Sequence, residues 1–271
     1  MNRKLLSTLV VLVVFVSVIG AYIAYYNFLY EGYALATDKD GALVGVRSGT
    51  FGDAFGTLNA LFSGFAFSGV LITLYFQRRD LAESHKQNAR QQTESQFYNM
   101  LTLQQQLVQA FDLHVQRPDS QITIQGRDCF RDWRKKLQRV FDASGLKGLE
   151  EKPRAVAAYQ QILSGHQGDL GLYFRSLYSV FRFIEQSEYA DKKHLALVVR
   201  SLLSDFELVF LFYNCLSSKG KKFTRFANEY ALFDNLDLSL LLDSNHVRFM
   251  DVPAFGENEA AVSLLASGGA V

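Results

Sequence analysis

In the stretch RDLAESH, Arg79 to His85, an arginine and a histidine stand six residues apart, residue types that can take part in acid-base and anion-binding chemistry. The other histidines, His114, His166, His194 and His246, form no HExxH, HxE or paired-ligand arrangement, and no GxSxG, Walker loop or dinucleotide fingerprint occurs. The glycines lie in an apolar run and at helix ends rather than between a strand and a helix, so a phosphate-cradling loop is not expected. Cys129 and Cys215 are far apart and outside any CxxC, which reads as buried thiols rather than a disulfide or zinc site. No catalytic residue, metal or cofactor is assigned on these grounds.

The elements that must position any such groups begin with two uncharged runs, Leu5 to Tyr30 and Ala54 to Gln77. Each exceeds the roughly 20 residues that cross a bilayer. The first is longer than the apolar core of a cleaved signal, although Ala34 to Ala36 imitate a cleavage site. Arg3 and Lys4 precede the first run, Arg78 and Arg79 follow the second, and the loop between them is acidic. The positive-inside rule then puts both ends in the cytoplasm of a multi-pass inner-membrane protein. The expected fold is an all-α membrane protein: a first span in 1–30, a periplasmic loop in 31–53, a second span in 54–77, a polar stalk helix in 78–115, a cytosolic helical bundle in 116–251 and a loosely ordered tail in 252–271.

The second run is unusual for its small residues. Gly52, Gly56, Ala60, Gly64 and Ser68 recur every four residues and so form one stripe on a helix, with Asn59 beside it. In lipid, small residues let backbones approach until van der Waals contact acts, and an amide needs a hydrogen-bonding partner. The stripe serves either packing within one chain, against Gly20, Ala21 and Ala24, or a homo-oligomeric seam that lines a pathway. Sequence alone leaves both open.

Beyond the stalk, apolar residues at helical spacing mark Phe130, Trp133, Leu137, Val140 and Phe141; then Tyr173, Phe174, Leu177, Phe181 and Ile184; then Leu195 through Tyr213 in one helix capped by Asp191 and ended by Gly220. A shorter helix is expected in KKFTRFANEYALF, and no strand. Arg131, Arg134, Lys135, Lys136 and Arg139 form a basic cluster that reads as a solvated face, and a net charge of +1 argues against a broad nucleic-acid surface.

Two resemblances accompany these readings. RDLAESH resembles the Arg-polar-x4-His signature of helical HEPN ribonucleases, which implies, as the alternative, a membrane-tethered ribonuclease toxin in which His85 would act as general acid or base and Arg79 would hold the phosphate. GTFGDAFGTLNALFSGFAFSGVLITLYFQ (49–77), ESQFYNMLTL (94–103), LYFRSLYSVFRFI (172–184) and VVRSLLSDFELVFLFYNCLS (198–217) together resemble the phage abortive-infection proteins. In that family a proline often follows the membrane asparagine, whereas Ala60 does here, which implies a straighter span. The resemblance implies an antiphage effector that damages or depolarises the inner membrane under control of a cytosolic sensing domain, without catalytic residues or cofactors to transfer. By analogy it implies a restraining partner protein or a retron reverse transcriptase with its nucleic acid, although no direct nucleic-acid binding is expected of the chain itself. A non-toxic scaffold that recruits another effector is the third possibility. The family-like blocks single out Tyr173, Phe174, Arg175 and Tyr178 on one helix and Arg200, Glu207, Tyr213 and Asn214 on another, with Arg200 able to pair with Glu207, or either of them with Arg175.

Overall fold

The computed structural model describes residues 13, 16–27, 39, 50–117 and 120–267. Most of the expected first span therefore lies outside the described residues, although 16–27 are helical. The chain divides into two units, Met1–His85 and Lys86–Val271.

The first unit contains the N-terminal part of helix α1, Thr50–Gln109, whose residues from Lys86 on belong to the second unit. Among the described residues, α1 is the one helix long and apolar enough to cross a membrane. Its large side chains from Phe65 to Phe76, including Phe67, Leu71 and Tyr75, are exposed. So long an apolar surface is unfavourable in water and suits lipid, which is consistent with a membrane location. Thr73 returns its hydroxyl to the Gly69 carbonyl at 2.8 Å, so its polar group is satisfied inside the helix. Residues 82–92 are exposed on all sides.

In the second unit α1 buries Phe97, Leu101 and Val108, while Leu103 remains 59% exposed. It stops at Gln109, earlier than the expected stalk end at 115, and an antiparallel hairpin follows: β1 (Asp112–Arg117) and β2 (Ser120–Gln125), with Leu113 opposite Ile124 and Arg117 opposite Ser120. The all-α expectation is thus corrected by one two-stranded sheet. Its physical cause is alternation, Leu-x-Val then Ile-x-Ile, around a Pro-Asp pair that cannot continue a helix.

The remainder is helical: α2 (Asp128–Asp142), α3 (Glu151–Gly165), α4 (Gln167–Gln186), α5 (Lys192–Ser201), α6 (Asp205–Leu216), α7 (Thr224–Tyr230) and α8 (Glu259–Ser267), joined partly by 3-10 turns. The single helix expected between Asp191 and Gly220 is two. Asp191 does cap α5, accepting from the His194 backbone N–H at 3.0 Å. A new start intervenes at Ser204, where a capping box forms with Glu207. Every residue from Glu207 to Cys215 is buried, so α6 is the central helix, packed on by α2 and α3. The rings of Phe111, Phe130, Trp133, Tyr173 and Phe210 meet around it, the closest pair being Phe130 and Tyr173 at 5.0 Å. Of the tail expected to be loose, residues 252–267 are held: Ala254, Phe255 and Ala261 are buried, and Phe233 N–H donates to the Ala254 carbonyl at 2.9 Å; 268–271 lie outside the described residues. One aromatic, Phe255, anchors the held segment against Phe212 and Phe233.

Candidate functional site

Helix α4, the C-terminal end of α6 and the turn Lys219–Phe223 line a half-open cavity of about 440 Å³, a size suited to a small molecule. Its buried lining includes Leu163, Phe174, Asn214, Gly220 and Phe223, with Tyr178 half-buried. Its exposed lining includes Gln167, Arg175, Lys219 and Lys222. Among the described residues no aspartate or glutamate lines it, and none of the three cations is in an ion pair.

Local chemistry builds this site. Where α6 ends, the Ser217 hydroxyl donates to the Asn214 carbonyl at 2.7 Å and accepts from the Gly220 N–H at 3.1 Å. The chain thereby folds back so closely that a Cβ on Gly220 would lie 2.0 Å from the Asn214 carbonyl oxygen. Only glycine permits that approach. The turn delivers Lys219 and Lys222 beside Asn214, which is 4% exposed. The Asn214 Oδ1 accepts from the Tyr159 hydroxyl at 3.0 Å, whereas its Nδ2 has no acceptor among the described residues. Asn214 thus lines the cavity with an amide donor that no protein group among the described residues takes up.

Of the residues singled out from the sequence, Phe174, Arg175, Tyr178 and Asn214 come together here. Tyr173 does not; it faces the core, where its hydroxyl donates to Glu207 Oε1 at 3.0 Å. Burial and the adjacent carboxylate push the Tyr173 hydroxyl well above the usual phenol range. The expected pairing of Arg200 with Glu207 is not formed, because the break at Ser204 puts them on different helices. Arg200 instead pairs with Asp234 at 2.8 Å and donates to the Ala231 carbonyl at 3.0 Å. Those bonds cap α7 where Ala231 adopts a left-handed φ of 50°. Nor does Arg175 pair with either residue. Sequence reasoning missed Lys219, Gly220 and Lys222, taking the glycine for a plain helix stop.

Tyr213 is structural too. Its oxygen accepts from the Leu242 N–H at 2.8 Å, so its own proton goes to His246 Nδ1 at 2.8 Å. The His246 Nε2 then carries the hydrogen and faces Glu151 at 3.3 Å. Burial lowers the His246 pKa, outweighing the opposing pull of Glu151, and burial likewise lowers that of His166. The unfolded chain, with histidines near about 6.5, therefore binds protons that the folded chain rejects. This contribution to stability is present above about pH 6.5 and fades as pH falls through the lower folded values. The unfolding temperature of the detergent-solubilised chain is expected to drop between about pH 7.5 and 5, and His246→Gln to flatten part of that slope. Scanning fluorimetry across pH checks it; a wild-type slope in the variant would refute the assignment.

The remaining sequence candidates lie on α1. Gly52, Gly56, Asn59, Ala60, Gly64 and Ser68 all fall in it, and from Gly56 on these positions are exposed. A Cβ on Gly56 or Gly64 would meet nothing within 4 Å among the described residues. Arg79 and His85 are exposed on the same helix, where six residues separate side chains by about 120° of rotation. The helix does not bring them together. The basic cluster of α2 is divided: Arg131 lies 3.3 Å from Asp128, Lys136 lies 3.3 Å from Asp132, and Arg134 donates to the Leu241 carbonyl at 2.7 Å.

The cavity's lining, apart from Leu163, falls between residues 167 and 223. Over residues 165–240 the chain matches the family described as Putative phage abortive infection protein. That match supports the resemblance read from the sequence and, with it, a role in phage defence. The matched region runs from Gly165, the last residue of α3, to the 3-10 turn Leu238–Leu240, so the cavity is almost wholly built from it. The blocks 49–77 and 94–103 of the resemblance lie outside it. No curated protein and no solved structure matches the chain.

Proposed function

We propose that this chain is a membrane effector of bacterial antiphage defence, in which the helical unit from Lys86 on is a cytosolic sensor and the N-terminal spans damage or depolarise the inner membrane. One observation carries the reading: an abortive-infection region shares its chain with a helix whose apolar surface is exposed along a bilayer-length run. The stripe from Gly56 to Ser68 meets another helix, in an oligomer of this chain, so that slender faces pack and Asn59 finds an amide partner across the seam. Both ends lie in the cytoplasm, and a partner protein, of which a retron reverse transcriptase is one candidate, restrains the chain until infection.

Expression of the chain without its genomic neighbours is the test. The expected result is growth arrest preceded by loss of membrane potential, read with a potential-sensitive dye. Gly64→Leu, which places a bulky side chain in the stripe, is expected to abolish both while the protein still fractionates with membranes. Arrested growth with full potential would overturn the mechanism, as would undiminished depolarisation by Gly64→Leu.

A further inference from the structure

We propose that the cavity between α4 and the Lys219–Phe223 turn binds a nucleotide, its base among the aromatic side chains and its phosphates on Arg175, Lys219 and Lys222. Charge sets the class of ligand. Three cations border one cavity that no carboxylate lines, and none of them is in an ion pair among the described residues. Clustered like charges repel, and a polyanion between them removes that cost while making charge-assisted hydrogen bonds. The positive surface continues past Tyr178 and Lys222 into a neighbouring depression lined also by Arg182 and Arg225. Its single acid, Glu185, is already taken by Arg225 at 2.8 Å. There is thus cationic room for more than one phosphate.

Inorganic phosphate alone would leave most of the site unused. About 440 Å³ far exceeds one phosphate, and the rest of the wall is Phe174, Tyr178 and Phe223. Aromatic faces and edges accept a flat heterocycle, with stacking worth about 1–3 kcal/mol per base. The Asn214 Nδ2 supplies the remaining piece. It has no acceptor among the described residues and is not sealed from solvent, so a ligand in the cavity can reach it. A ring nitrogen or carbonyl of a base supplies that acceptor. Phosphate at one end, a flat ring at the other and an acceptor on the ring describe a nucleotide; a lipid headgroup has the first and lacks the other two.

The binding claim stands on this geometry alone. That the nucleotide is the signal releasing the spans rests on the effector reading, and binding is measured without reference to toxicity, so either can fail separately. The full chain in nanodiscs is titrated calorimetrically with the four ribonucleoside triphosphates, their diphosphates, the corresponding nucleosides and pyrophosphate. At least one nucleotide is expected to bind about tenfold or more tightly than its nucleoside and than pyrophosphate. Lys219→Ala with Lys222→Ala, and separately Arg175→Ala, are each expected to weaken it about tenfold with an unchanged unfolding temperature. Absence of binding by every nucleotide would overturn the proposal. So would pyrophosphate binding as tightly as the best nucleotide, or unaltered affinity in both variants.

Discussion

Glu207→Ala is expected to destabilise the unit from Lys86 on by about 3–5 kcal/mol, because it removes a buried carboxylate that accepts several hydrogen bonds, each worth about 1.5–3 kcal/mol. The Glu207 side chain is 2% exposed and lies beside three donors. Its Oε1 accepts from the Tyr173 hydroxyl at 3.0 Å, and its Oε2 accepts from the Ser204 backbone at 2.9 Å and the Ser204 hydroxyl at 2.6 Å. Arg127 stands 3.8 Å away but is 49% exposed, so solvent screens most of its contribution. The loss is therefore mainly that of hydrogen bonds to a desolvated carboxylate, and the cap of α6 goes with it. Tyr173→Phe removes one of those bonds and should cost less, about 1.5–3 kcal/mol. Trp133, the sole tryptophan of the sequence and 1% exposed, reports unfolding directly. Equal midpoints for the two variants in urea would contradict this ranking.

Gly220→Ala is the second large effect. The new methyl carbon would begin 2.0 Å from the Asn214 carbonyl oxygen and 2.5 Å from its Nδ2, and a backbone oxygen at the end of a buried helix cannot swing aside. Overpacking of this kind costs about 3 kcal/mol when the surroundings must move. For a domain this size the unfolding temperature should fall by about 6–12 °C. Gly171→Ala is the matched control, since its methyl would meet only Nη1 of Arg175 at 3.5 Å and a Gln167 side-chain carbon at 3.7 Å, ordinary contacts of flexible groups. A Gly220→Ala protein as stable as Gly171→Ala would mean that the turn is not packed as described.

Much of the helical core was legible because its signal is local. Phe130, Trp133, Leu137 and Phe141 recur at helical spacing and are all buried on α2, and the same holds for Tyr173, Phe174, Leu177, Phe181 and Ile184 on α4. The hairpin was hidden by brevity: Leu113 and Ile124 pair across a sheet of two six-residue strands, too short for alternation to stand out among glutamines. The break between α5 and α6 carried its signal in plain view, Ser204 three residues before Glu207, but apolar residues on both sides continued a helical period across it. What lay beyond reach was contact between distant residues. Nothing in the chain announces that Arg200 meets Asp234, or that a glycine between lysines presses onto Asn214. Half of the cavity, on α4 and α6, was therefore visible as family-like positions, and the other half looked like an ordinary helix end.

Both thiols of this protein are sealed in the core. Burial raises Cys129 to about 11 and Cys215 further still, so neither is a thiolate to any useful extent near neutrality. A maleimide reagent applied to intact membranes consequently finds a silent background. Single cysteines placed along 31–53 or within the glycine stripe can then be mapped for sidedness, one by one, without first stripping out the native pair.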